Sequence, residues 1–317
     1  MLSLRAPPLM DIFLQQIING LTLGSVYAVV ALGYTMVYGI IQLINFAHGE
    51  VVMIGAMVAF TVIGWLAAHT QLAPLAIVLI GTAAAVPVCV AVGYALEVFA
   101  YRRLRHAPRL APLITAIGAS IVLQQLAMMV WSRNPLAFPQ IVPNTVFHVA
   151  GATITLVQVA IIVASVAMMA GLSLVVYRTR LGVAMRAASQ NAAIAGLMGV
   201  NVNQIIAATF MIGAALAAVA GVMVGTYYGI AHYTMGALLG LKAFCAAVLG
   251  GIGNLAGAML GGMLLGVVEA LGAGYIGDFT GNVFGSNYQD VFAFLVLIAV
   301  LVFRPSGLLG ERIGDRA

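Results

Sequence analysis

Between Asp11 and Glu50 the chain runs for 38 residues, 12 to 49, without one acidic or basic side chain. As a continuous helix this stretch would measure roughly 57 Å, nearly twice the hydrocarbon core of a bilayer at about 30 Å. So apolar a segment is not stable in water, and it is too long for a single crossing, so it must turn back. Other charge-free runs lie at 51–68, 76–96, 110–132, 151–177 and 204–230, and a last apolar run ends at Arg304-Pro305. Of the 317 residues 63% are hydrophobic and 7% charged, where a soluble domain carries about 25% charged residues. That excludes a soluble globular enzyme, and a chain this apolar cannot remain solvated as an open coil. The 36 glycines have no triplet period, which excludes a collagen-like structure. The class that remains is an all-α polytopic membrane protein.

Two stretches need internal breaks. In GYTMVYGIIQLINFAHGE the glycines and polar residues place a break between Gly33 and Gly49, giving one full helix and one short segment. Residues 231–274 read as a short helix, a Gly-rich break at Gly250 to Gly253 and a full helix. The expectation is about eight full transmembrane helices plus two short or broken ones, up to ten segments. A full helix, a short Gly-bounded helix and another full helix then occur near both ends, at 12–68 and 204–274, as in transporters built from repeats. Patterns such as Gly20 to Gly24 and Gly262 to Gly266 permit close helix packing.

Charge sets the expected topology. Ten of the 13 basic residues fall in three groups: Arg102, Arg103, Arg105 and Arg109; Arg178, Arg180 and Arg186; Arg304, Arg312 and Arg316. The positive-inside rule places all three in the cytoplasm and 133–150 outside, and an even segment count puts both termini inside. The same distribution explains the net charge of +5 without a nucleic-acid partner. Cys89 and Cys245 lie far apart in apolar stretches and read as buried small hydrophobes, not a disulfide or metal pair.

Ionisable groups inside a membrane are costly and are functional candidates by default. Here they are His48, Glu50, Lys242 and Glu269, with amides at Asn45, Asn254, Gln124 and Gln125. Asn45 and His48 share a helical face, whereas Glu50 is turned about 200° from His48. Asn45 to Gly49 therefore reads either as a bend whose polar groups satisfy free backbone or as part of a pathway lining. Enzymatic motifs do not survive inspection. His48-Gly49-Glu50 lacks the P-C-x-x-C of a zinc deaminase, and the glycines of 251–257 follow no strand. There is no HExxH, no partnered GxSxG and no Walker A sequence. No cofactor is expected, and uphill transport by ATP would need the nucleotide site on another chain.

The polar segment 178–202 is too long for a tight turn. Ala184, Ala188, Ala195 and Met198 fit the apolar side of a short helix, with Arg186, Gln190 and Asn191 as polar contacts. It reads as a solvated surface helix or as a docking helix for a cytoplasmic partner. On the residues alone a channel or ion-coupled secondary transporter using His48, Glu50 and Glu269 stays open.

The segments INGLTLGSVYAVVALGYTMVYGIIQLINFAHGEVVMIGA (18–56), RTRLGVAMRAASQNAAIAGLMGVNV (178–202), KAFCAAVLGGIGNLAGAMLGGMLLGVVEALGAGYI (242–276) and AFLVLIAVLVFRPSGLLG (293–310) resemble the permeases of branched-chain amino-acid ABC importers, of the LivH type. The resemblance covers nearly the whole chain from Met10. It implies a single transmembrane domain over 10–317, with residues 1–9 a disordered N-terminal extension, in a bacterial inner membrane. It also implies a second homologous permease, two cytoplasmic ATPases and a periplasmic binding protein delivering leucine, isoleucine or valine. The family's coupling region matches 178–202, which makes Arg186, Ala187, Ala188, Asn191, Ala195 and Met198 candidate ATPase contacts. Arg186-Ala187-Ala188 stands where other importers have Glu-Ala-Ala. No catalytic residue is implied; Asn45, His48, Glu50, Lys242, Asn254 and Glu269 are candidates for the pathway or its broken helices.

Overall fold

The fold is given by a computed structural model that describes residues 9–105, 107–108, 110–143, 145–149, 151–279 and 288–310. Its long helices are α1 (Leu9–Ile41), α2 (His48–His69), α3 (Pro74–Ala95), α4 (Leu110–Val130), α5 (Leu156–Arg178), α8 (Val202–Tyr228) and α10 (Leu255–Phe279). Two shorter apolar helices, α9 (Met235–Gly250) and α11 (Gln289–Phe303), pack among them, and α6 (Arg180–Gln190) and α7 (Ala192–Leu197) form the polar segment between α5 and α8. The described residues also form four short strands: β1 (Leu136–Ala137), β2 (Val146–Val149), β3 (Ala152–Thr155) and β4 (Ile230–Ala231). Among the described residues seven helices are long and apolar enough to cross a membrane, which makes the protein a multi-pass membrane protein.

The second expected break is present: α9 ends at Gly250, Gly251 adopts φ 106°, and α10 starts at Leu255. The first differs from expectation. α1 runs unbroken for 33 residues, about 50 Å at helical rise, and the chain reverses only at 42–47 before entering α2 directly. No separate short helix forms there, because nothing before Gln42 interrupts the backbone ladder. Among the described residues nine apolar segments result, and the long-short-long order recurs only in α8–α9–α10. Leu9 is already helical; the remainder of the expected extension, 1–8, lies outside the described residues, as do Arg109, Arg312 and Arg316.

Packing sorts the helices into a core and a periphery. α1 and α8 are 78% and 72% buried over their apolar windows, whereas α4 is 11% buried. Close approach explains the α1–α10 pair: a Cβ on Gly24 would lie 2.7 Å from the Met263 Cα, and one on Gly20 2.6 Å from the Val267 Cα. Where no water drives helices together, such backbone proximity is the main source of attraction. Cys89 and Cys245 are buried and unpaired.

The bundle has two distinct ends. At one, Gln15 of α1 exchanges hydrogen bonds with Thr153 of the β2–β3 hairpin (Nε2 to the carbonyl, 3.0 Å; backbone N to Oε1, 2.8 Å), and β1 pairs antiparallel with β4. At the other, the Tyr101 hydroxyl meets Asn45 just beyond α1, Arg105 bonds Asn203 at the start of α8, and Leu308 and Leu309 donate to the carbonyls of Leu249 and Gly250. α1 starts at the hairpin end and the last described segment closes at the arginine end.

Candidate functional site

The reversal at 42–47 organises the first site. Gln42 adopts φ 51°, a left-handed conformation that costs an ordinary L residue about 1 kcal/mol. His48 N–H bonds the Asn45 carbonyl at 3.0 Å, and the Asn45 Oδ1 accepts from the Tyr101 hydroxyl at 3.1 Å. His48 and Glu50 then leave the first turn of α2 in different directions. The His48 ring is wedged between Gly33 and Gly213 and stands edge-on to Tyr34 at 4.8 Å, with its Nε2 unpartnered. Glu50 faces α4 and α9. Its Oε1 accepts from Ser120 Oγ at 3.1 Å and Gln124 Nε2 at 2.7 Å, while Oε2, buried and unpartnered, faces Gly236. Glu50 is 0% exposed and has no cationic partner among the described residues.

Lys242 and Glu269 form a second, separate cluster. The Lys242 ammonium lies 2.7 Å from Glu269 Oε1 and 2.6 Å from Asp290 Oδ1, and the Tyr27 hydroxyl donates to Glu269 Oε2 at 3.0 Å. One cation thus joins α9, α10 and α11, with α1 contributing the tyrosine. Asn254 bonds to members of neither cluster. Its side chain accepts from Gly257 N–H at 3.1 Å and donates to the Leu309 carbonyl at 2.9 Å, closing the α9–α10 break against the end of the chain.

The polar segment divides its candidates by burial. Ala188 and Ala195 are 2% and 4% exposed and pack inward, so they are not available as partner contacts. Their small side chains allow the chain's own helices to approach. Arg186 donates to the Val176 carbonyl and sits 5.6 Å over the Tyr177 ring, Asn191 caps α7 through Ile194 N–H, and Ala187 is half-buried. Met198 is exposed together with Ile194 and Leu197, at 81%, 58% and 87%. The spacing 194, 197, 198 is one helical face. It was readable in the sequence, but the alanine pattern beside it was no weaker.

Reasoning from composition also passed over Tyr27, Ser120 and Asp290, whose importance depends on partners far away in sequence, and over Glu97, whose partners Arg102 and Arg105 lie close by in the chain. Arg105 lies beyond α3, and burial holds its guanidinium below its ordinary pKa, opposed by the neighbouring Glu97 carboxylate.

Residues 16–301 match the family described as branched-chain amino acid transport system / permease component. The chain belongs to that permease family. This permease is 51% identical over 303 residues to the high-affinity branched-chain amino acid transport system permease protein BraD of Pseudomonas aeruginosa, covering 94% of this chain and 96% of the relative. It is 43% identical over 313 residues to LivH of Escherichia coli, with the same coverage. A probable branched-chain amino acid transport permease of Methanocaldococcus jannaschii is 25% identical over 95% of this chain and 94% of its own. No solved structure gives a significant match. Membership removes the channel and secondary-transporter alternatives, and a permease subunit is not an enzyme.

Proposed function

We propose that this permease lines the translocation path of an ATP-driven importer for leucine, isoleucine and valine in a bacterial inner membrane. A second homologous permease completes the path, two cytoplasmic ATPases drive it, and a periplasmic binding protein supplies substrate. The observation carrying this reading is the exposed apolar face of α7, Ile194, Leu197 and Met198, in a permease whose sequence has no Walker A motif. Energy must enter through a protein contact, and exposed apolar residues at the arginine-rich end are suited to make it. The positive-inside rule makes that end cytoplasmic. In this reading α1 begins on the periplasmic side, in place of the N-in arrangement expected from an even segment count. His48 and Glu50, beside the reversal at 42–47, are assigned to the path; Lys242, Glu269 and Asn254 hold the broken α9–α10 element in place.

The test is uptake of labelled leucine into proteoliposomes holding both permeases and both ATPases, with the binding protein outside and ATP inside. ATP-dependent accumulation is expected. Accumulation driven by a proton gradient without ATP would overturn the reading.

A further inference from the structure

After Ala95, α3 continues as a π-helical turn, Leu96–Tyr101, and a 3₁₀ turn, Arg102–Leu104. π-Turns inside helices are costly and concentrate at functional positions. This one holds two sets of contacts. In the first, Glu97, 0% exposed, receives Arg102 at 2.6 Å and also Arg105. Arg105 in turn donates to the side chain of Asn203, in the first turn of α8. Only residues 198–201 separate α7 from that turn. In the second, the Tyr101 hydroxyl donates to Asn45 Oδ1 at 3.1 Å, and its ring packs on Phe210 at 5.1 Å. Asn45 lies in the reversal, three residues after Gln42 with its positive φ and three before His48.

We propose that this π-turn is the transmission element between the ATPase-docking helices and the reversal before α2. Displacement of α6–α7 moves the start of α8; the Asn203–Arg105–Glu97 contacts pass it to the π-turn, and Tyr101 passes it to Asn45. The physical basis is rigidity. The Glu97 carboxylate is itself fully buried while Arg102 is 37% exposed, so parting it from both guanidiniums leaves a buried charge uncompensated and the contact resists separation. A reversal containing a strained left-handed residue, by contrast, is a segment able to change shape. Glu97, Tyr101, Arg105 and Asn203 are positioning residues here, and none is required to touch substrate. The inference rests on the assignment of α7 as the docking surface.

The experiment compares Tyr101→Phe, Asn203→Ala, their combination, and Leu197→Asp in the reconstituted importer. ATPase copurification, binding-protein-stimulated ATP hydrolysis and leucine uptake per ATP are measured. Tyr101→Phe keeps the ring against Phe210 and removes one hydroxyl; Asn203→Ala removes the acceptor for Arg105. Each is expected to retain the ATPases and hydrolysis while uptake per ATP falls about tenfold, as expected for loss of one hydrogen bond. The double variant should be no worse than the poorer single one, since contacts in series fail together. Asn203→Asp, which keeps an acceptor for Arg105, should restore coupling. Normal uptake per ATP in either single variant, multiplicative losses in the double, or loss of the ATPases from both would overturn the proposal. Leu197→Asp reports separately on the docking assignment, because only that assignment predicts ATPase release.

Discussion

At the scale of single residues the site is governed by space and by unpaired charge. A Cβ on Gly33 would collide with the His48 imidazole, which already fills the gap to Gly213. Gly33→Ala should therefore block assembly of α1 against α2, costing about 1–3 kcal/mol as overpacking does. Gly33→Ala with His48→Ala should recover part of it, read as the midpoint of thermal aggregation in detergent. No recovery in the double variant would mean that the ring does not set the spacing. Glu50→Gln keeps an oxygen to accept from Ser120 and Gln124 while removing the charge. Normal assembly with uptake reduced about tenfold is expected if the carboxylate serves the path; normal uptake would reduce Glu50 to a tie between α2 and α4. Lys242→Met leaves Glu269 and Asp290 facing each other without a cation, a change that costs about 3–5 kcal/mol when a buried pair is broken. The same melting assay should show a large loss for that variant and a smaller one for Lys242→Met with Glu269→Met. Equal losses would place the stabilisation elsewhere.

At the scale of elements, α6 and α7 divide the work of the polar segment. α6 turns its small residues inward, with Ala188 at 2% exposure, and Arg186 satisfies a carbonyl near the end of α5. α7 turns Ile194, Leu197 and Met198 outward. Leu197→Asp is accordingly expected to weaken ATPase binding by at least tenfold, given about 2 kcal/mol for a leucine side chain in a dry interface. Membrane insertion should be unaffected. Copurification of wild-type amounts of ATPase with the variant would remove α7 from the interface. Ala188→Trp should instead damage folding, since its methyl is already enclosed. The segment was legible as helical, but not which alanines turned inward: a run of alanines gives almost no amphipathic signal, and only the neighbouring helices fix the rotation.

At the scale of the molecule, the two ends of the bundle make a topology that labelling can read. Cysteines at His148 of the β2–β3 hairpin and at Gln15 of α1 share one end, and a cysteine at Ser189 of α6 lies at the other. In intact cells an impermeant thiol reagent should reach position 148 and spare 189, with the buried native cysteines silent. Adding the same reagent to inverted vesicles should reverse the pattern. Labelling at 189 in intact cells would invert the orientation derived from the arginines.

The charge-free runs alone determined the membrane class, because each exceeds what water tolerates and matches what hydrocarbon requires. The glycines of 250–253 announced the α9–α10 break, since Gly251 at φ 106° needs a residue without a side chain. The first reversal was placed only within a window, because its turning residue is Gln42, which carries no such signature. Tertiary structure alone decided at which end of the bundle α1 starts. Asp11 in its first turn and Arg5 upstream are too few and opposite in sign to distinguish the ends, and it is the Gln15–Thr153 pairing that sets the start beside the hairpin. Glu97 finds Arg102 and Arg105 within eight residues of itself, but the partners of Glu50 and Lys242 were invisible in sequence, for they come from helices that only packing brings together, Gln124 standing 74 residues from Glu50 and Glu269 standing 27 from Lys242.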